Sequence, residues 1–240
     1  MKRLAIVLSG LLLAATAAHA QEVPTLPFKA DIGNQASLQR GARDFMAYCS
    51  GCHSLKYLRY NRMGQDLGIS DELLKKNLIL GAAKVGDPIA TAMPAQSVDW
   101  FGRVPPDLSL ETKAKGADWV YSYLMSFYLD GTRPLGVNNP YLPGVSMPAV
   151  LGELQGWQEM EAPAKGEGGE AAPHFKLVQP GTLSPEEYRD FVGDLTNFMV
   201  YASEPTAFER LGLGWKVLAY LFLLLILTYL LKKEFWRDIH

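Results

Sequence analysis

The 240-residue chain has two cysteines, and they stand three apart with a histidine directly after them: Cys49-Ser50-Gly51-Cys52-His53. A separation of three is about one helical turn, so both sulfurs face the same side. Two thiols so placed can form thioethers to the two vinyl groups along one porphyrin edge, while the adjoining imidazole meets the iron from one face. The pentapeptide therefore reads as the attachment site of one covalently bound c-type haem, with His53 as an iron ligand. Two cysteines in an exported chain would otherwise suggest a disulfide, and His53 is what overrides that reading. A dithiol redox pair would need a βαβ surround and a zinc site a second pair of ligands; the sequence offers neither.

The sixth position decides what such a haem can do, because a His/Met pair suits electron transfer and a vacant site suits ligand chemistry. The histidines are His19, His53, His174 and His240. The first lies in a leader-like segment and the last beyond an apolar span. Met125 and Met199 fall within helical patterns that suit core packing, and Met46 and Met63 flank the motif too closely to reach the opposite face. Met93 and Met147, each followed by proline, remain beside His174. The run Asn138-Asn139-Pro140-Tyr141-Leu142-Pro143-Gly144-Val145-Ser146-Met147-Pro148 is rich in turn formers and reads as a loop that could press over a haem face. The pattern favours Met147 and leaves Met93 and His174 open.

The elements that must position these groups are mainly helical. Leu38, Ala42, Phe45 and Met46 give an amphipathic helix running into the motif. Asp118 to Leu129 reads as a buried, aromatic helix ended by Asp130-Gly131. Ser184-Pro185-Glu186-Glu187 is a capping box with proline at the first helical position, and Tyr188, Phe191, Val192, Leu195, Phe198 and Met199 then recur at helical spacing. This helix is expected to pack on the haem-motif helix. From Gln158 to Lys176 the composition shifts to Glu, Gly, Ala and Pro, which predicts an exposed, mobile loop. No repeat, phosphate-binding loop, catalytic triad or paired-carboxylate arrangement is evident.

Both ends are apolar. Lys2 and Arg3 precede a short apolar run and Ala18-His19-Ala20, the layout of a signal peptide cleaved after residue 20. Near the other end, residues 211–231 hold one membrane-spanning helix, and Lys232, Lys233 and Arg237 follow it. By the positive-inside rule the short tail, 232–240, is cytoplasmic, which leaves residues 21–210 as a periplasmic domain on a bacterial inner membrane. That domain carries 23 acidic and 17 basic side chains, a formal charge of −6, so nucleic acid is excluded as a partner.

Together these residues resemble the cytochrome c1 family, the c-type haem subunit of the ubiquinol–cytochrome c reductase (cytochrome bc1) complex. The likeness runs from about Leu38 to the end. It is carried by Leu38-Gln39-Arg40-Gly41, Cys49 to His53, Pro105-Pro106-Asp107-Leu108-Ser109, Asn139-Pro140-Tyr141-Leu142-Pro143-Gly144, Met147 and Glu204-Pro205. The resemblance implies a class I cytochrome c-like helical haem domain with long loops, Cys49 and Cys52 as thioether sites, and His53 and Met147 as axial ligands. It also implies a carbonyl near Pro106 facing His53, which would fix the imidazole tautomer. Where many relatives have an arginine toward a haem propionate, this chain has Lys115, or Lys113 in the neighbouring register. Lysine lacks the planar fork of arginine. The implied role is one-electron transfer from a Rieske iron–sulfur protein to a cytochrome c, beside cytochrome b in the membrane, with no catalysis by this subunit alone.

Overall fold

The computed structural model describes residues 23–161 and 173–237. The leader expected over residues 1–20 lies outside the described residues, as do His19 and His240. In chain order the elements are α1 (Gln35–Tyr48), β1 (Leu55–Arg59), α2 (Tyr60–Leu67), a helical turn α3 (Asp71–Leu73) that runs on as a π-helical turn to Leu78, β2 (Pro88–Ile89), α4 (Ser97–Phe101), α5 (Glu111–Lys115) and α6 (Ala117–Met125). They continue with β3 (Tyr128–Leu129), β4 (Val137–Asn138), α7 (Gly152–Gln155), β5 (Gly156–Met160), β6 (Phe175–Pro180), α8 (Pro185–Ser203) and α9 (Ala207–Phe235). Among the described residues the strands pair as antiparallel two-stranded ribbons, β1 with β2, β3 with β4 and β5 with β6. Helices therefore carry the core.

Two of them frame it. Helix α1 opens at Asn34, whose side chain accepts from the Ser37 N–H at 3.1 Å, supplying one of the backbone partners that a helix start lacks. Leu38, Ala42 and Phe45 recur along one face and are fully buried. Helix α8 opens on the expected capping box: Ser184 Oγ accepts from the Glu187 N–H (3.3 Å) and Glu187 Oε2 from the Ser184 N–H (2.8 Å). Its buried face, with Val192, Leu195 and Phe198, packs on α1, and the Phe45 and Phe198 rings meet at 5.8 Å between centroids. Gly41 lets the two backbones approach, since a Cβ there would stand 2.1 Å from the Asp194 carbonyl oxygen. Helix α6 leans on α8 as well, with the Tyr188 hydroxyl donating to the Leu124 carbonyl at 2.9 Å.

Two boundaries differ from the sequence reading. Helix α6 stops at Met125 and does not run on to Leu129. The Met125 and Phe127 carbonyls are taken by the side-chain amides of Gln155 and Gln158, which supply partners that a continuing helix would have supplied. Tyr128-Leu129 then pairs with Val137-Asn138, so Asp130-Gly131 is part of a hairpin turn and not a helix stop. The stretch Gln158 to Lys176, expected to be all loop, has ordered flanks: β5 and β6 pair from Gly156 with Pro180 to Met160 with Phe175. Its centre, 162–172, lies outside the described residues.

Helix α9 follows α8 after only Glu204, Pro205 and Thr206. Within it Gly212–Phe235 contains an 18-residue window with a mean hydropathy of 2.0, none of which is buried against the other described residues, the length and composition of a candidate membrane span. The junction is tied by ions. Glu204 pairs with Lys113 (2.5 Å) and with Arg210, while Arg62 bridges Asp66 (2.7 Å) and Glu209 (2.9 Å). The Tyr201 hydroxyl donates to the same Asp66 at 2.8 Å.

Candidate haem site

The cysteine motif is the continuation of α1. Cys49 closes the helix, its N–H donating to Phe45, and the Cys52 and His53 N–H groups both return to the Cys49 carbonyl, at 3.0 and 2.8 Å. One further turn thus presents Cys49, Cys52 and His53 to a common side. The turn is held from outside by Thr91, whose hydroxyl donates to the Gly51 carbonyl (2.7 Å) and whose N–H donates to Ser54 Oγ (2.9 Å).

The proline segment is brought to His53 by strand β1. The Leu108 N–H donates to the Ser54 carbonyl (2.9 Å), and Asp107 Oδ2 accepts from the Lys56 N–H (3.0 Å). Asp107 and Ser109 are thereby laced to the chain just past the motif, and the Pro106 carbonyl oxygen lies 2.8 Å from His53 Nδ1. A carbonyl only accepts, so the proton is on Nδ1 and the Nε2 lone pair is free. Burial pulls the His53 pKa below its ordinary value, against the upward pull of the Pro106 hydrogen bond. The neutral ring is the form that binds a metal.

Met147 arrives on the 138–150 loop, which is pinned to α6. Asn139, fully buried, donates through Nδ2 to the Tyr123 carbonyl (2.7 Å) and accepts from the Tyr141 N–H (3.0 Å), while Asn138 Oδ1 accepts from Gly144 (2.9 Å). Gly144 takes φ +75°, a conformation that suits glycine at this turn.

Two adjoining clefts result, open to solvent on one side and lined mainly by apolar groups. Both are lined by Cys49, His53, Pro106 and Met147, and the first also by Cys52. The residues fit a c-type haem on chemical grounds: an imidazole with a free lone pair, a thioether, and two thiols on one turn around an apolar space. Burial pushes the Cys49 thiol up to about 12, the opposite of what a thiolate redox pair requires.

The structure brings Cys49, Cys52, His53, Pro106 and Met147 together and leaves Lys115 apart. Lys115 lines neither cleft and its ammonium lies 5.3 Å from the Trp119 ring centroid, while Lys113 is engaged by Glu204. The cation that lines both clefts is Arg103. Sequence reasoning missed it, although its place three residues before Pro106 was a usable signal. Tyr123 and Trp119, whose rings stack at 5.1 Å and 8°, were read only as core aromatics, yet both line the larger cleft. Met93 lies away from both clefts with its N–H on Thr91 Oγ1 (3.1 Å), and His174 is exposed.

A helical domain closed around such a cleft, and carried on one apolar C-terminal helix, defines the class of membrane-anchored c-type cytochromes. Comparison with known proteins narrows this. The sequence model of the Cytochrome C1 family matches residues 181–239. Cytochrome c1 of Allochromatium vinosum is 55% identical over 213 residues, covering 88% of this chain and 87% of that one. The ammonia monooxygenase gamma subunit of Nitrosomonas europaea is 46% identical over 243 residues and 100% of both chains, and cytochrome c1 of Rhodospirillum rubrum is 28% identical over 86% of this chain and 83% of its own. The chain belongs to the cytochrome c1 family.

Proposed function

We propose that this chain is the electron-transfer subunit of a cytochrome bc1 complex, taking single electrons from a Rieske iron–sulfur protein and passing them to a cytochrome c, with cytochrome b as its membrane neighbour. The observation that carries the reading is that Cys49, Cys52, His53 and Met147 line one cleft together. Cys49 and Cys52 would hold one haem c covalently, and His53 and Met147 would be its axial ligands. When bound, the group supplies a one-electron change between ferrous and ferric iron. The chain supplies the rest. The Pro106 carbonyl fixes the imidazole, the loop fastened by Asn139 presents the sulfur, and apolar walls exclude water, so that little has to reorganise as the charge changes. Arg103 offers a guanidinium at the rim, suited to a haem carboxylate. The leader and the basic tail support a periplasmic domain with a cytoplasmic C-terminus.

A second reading rests on the full-length likeness to a protein named as an ammonia monooxygenase subunit. Purification from membranes in mild detergent separates the two: cytochrome b and a Rieske protein are expected to accompany this chain, and a monooxygenase in their place would overturn the bc1 assignment. Since no ligand comes from α9, removal of residues 211–240 is expected to release a water-soluble domain whose absorption spectrum matches that of the full chain. A soluble fragment lacking the far-red sulfur-to-iron band would show that α9 helps to build the site.

A further inference from the structure

The Tyr123 hydroxyl lies 3.4 Å from Met147 Sδ and donates to it. Resting on the reading of Met147 as the distal ligand, we infer that Tyr123 is a positioning residue that sets both the orientation and the donor strength of the Met147 sulfur, and so raises the redox potential of the site.

The geometry leaves the hydroxyl little freedom. Tyr123 is 9% exposed; its ring stacks on Trp119 at 5.1 Å and meets Phe127 edge-on at 5.1 Å. Its backbone carbonyl is the acceptor to which Asn139 ties the loop that carries Met147. One residue therefore controls the sulfur from two directions, through its main chain by fixing the loop and through its side chain by a direct hydrogen bond. A thioether sulfur has two lone pairs and is a weak acceptor. When one pair receives the tyrosine proton, only the other can face the cleft, which selects one configuration at sulfur. The hydrogen bond also draws electron density from the sulfur. A poorer donor stabilises the electron-poor ferric iron less than the ferrous, which favours reduction.

The test is Tyr123→Phe in the full-length, haem-loaded chain, which keeps the ring stack and removes only the hydroxyl. The equilibrium constant for reduction against a fixed reference couple is expected to fall about threefold, equivalent to about 28 mV at 59 mV per tenfold for one electron. The circular dichroism of the far-red sulfur-to-iron band is expected to change as sulfur loses its fixed configuration. Tyr201→Phe serves as a control for losing a buried hydroxyl, because that group donates to Asp66 well away from the cleft; it is expected to leave both readouts unchanged. An unaltered potential and band in Tyr123→Phe overturns the inference while the ligand assignment stands. A wild-type chain without any sulfur-to-iron band overturns both. If Tyr123→Phe fails to incorporate haem, Tyr123→Trp, whose N–H can donate in place of the hydroxyl, is expected to keep the potential close to that of the unaltered chain; a potential lowered as far as by full loss of the sulfur ligand shows packing and not the hydrogen bond, and overturns the inference.

Discussion

Met147→Leu is expected to lower the midpoint potential by on the order of 0.1–0.3 V, within the ~0.8 V over which axial ligands set haem potentials, and to let the ferrous protein bind carbon monoxide. Leucine is close to methionine in volume, and such exchanges usually cost less than about 1.5 kcal/mol, so the loop held by Asn138 and Asn139 should keep its course. What is lost is a lone pair. His53, held by Pro106 on the other side of its ring, cannot compensate, and Met93 stands outside both clefts with its backbone tied to Thr91. Redox titration and a carbon monoxide difference spectrum check the result. An unchanged potential with no carbon monoxide binding would mean that Met147 is not the ligand.

The second large effect falls far from the iron. Gly41→Ala is expected to destabilise the domain by about 3–5 kcal/mol, beyond the usual 1–3 kcal/mol of overpacking, and to lower the melting temperature by roughly 10–15 °C. The added Cβ would stand 2.1 Å from the Asp194 carbonyl oxygen and 2.6 Å from Phe198 Cβ. The first neighbour is helix backbone and cannot rotate away. The two helices must therefore separate, loosening the contacts of Leu38, Ala42 and Phe45 with Val192, Leu195 and Phe198 along their whole length. Because Cys49 and His53 continue α1, haem incorporation is expected to fall as well. Gly131→Ala is the control, since nothing lies within 4 Å of a Cβ there. Equal melting temperatures for the two variants would show that α1 and α8 part without loss.

The sequence and the structure agree where chemistry or helical periodicity imposes the spacing. A spacing of about one turn after α1 predicts that Cys49, Cys52 and His53 share a side, and they line one cleft; the capping box at Ser184 with a repeating apolar face announces α8. The identity of the carbonyl beside His53 was illegible because it depends on Leu108 being laced to Ser54 and Asp107 to Lys56, a tertiary fact. Helix α6 was overextended because aromatic residues continue past Met125, while the groups that end it, Gln155 and Gln158, lie some thirty positions on. Two-residue strands such as Tyr128-Leu129 are too short to show a period of two. Lys115 was tied to the site by register alone, and its side chain goes to Trp119; Arg103 had only its nearness to Pro105-Pro106 to announce it, and its place on both clefts depends on how the loop around it is folded.

The short, ion-tied junction between α8 and α9 has a mechanical consequence. At 1.5 Å per residue the 29 residues of α9 extend about 44 Å, against roughly 30 Å of hydrocarbon, so the helix stands proud of the bilayer and grips the domain through Glu204, Arg210, Arg62 and Glu209. The linker is too short to act as a swivel. On the proposed function such a junction would hold the redox centre like a bracket, at a set height and heading above the lipid. On that function, travel would fall to the neighbours: whatever delivers or collects the electron would itself have to come within tunnelling range.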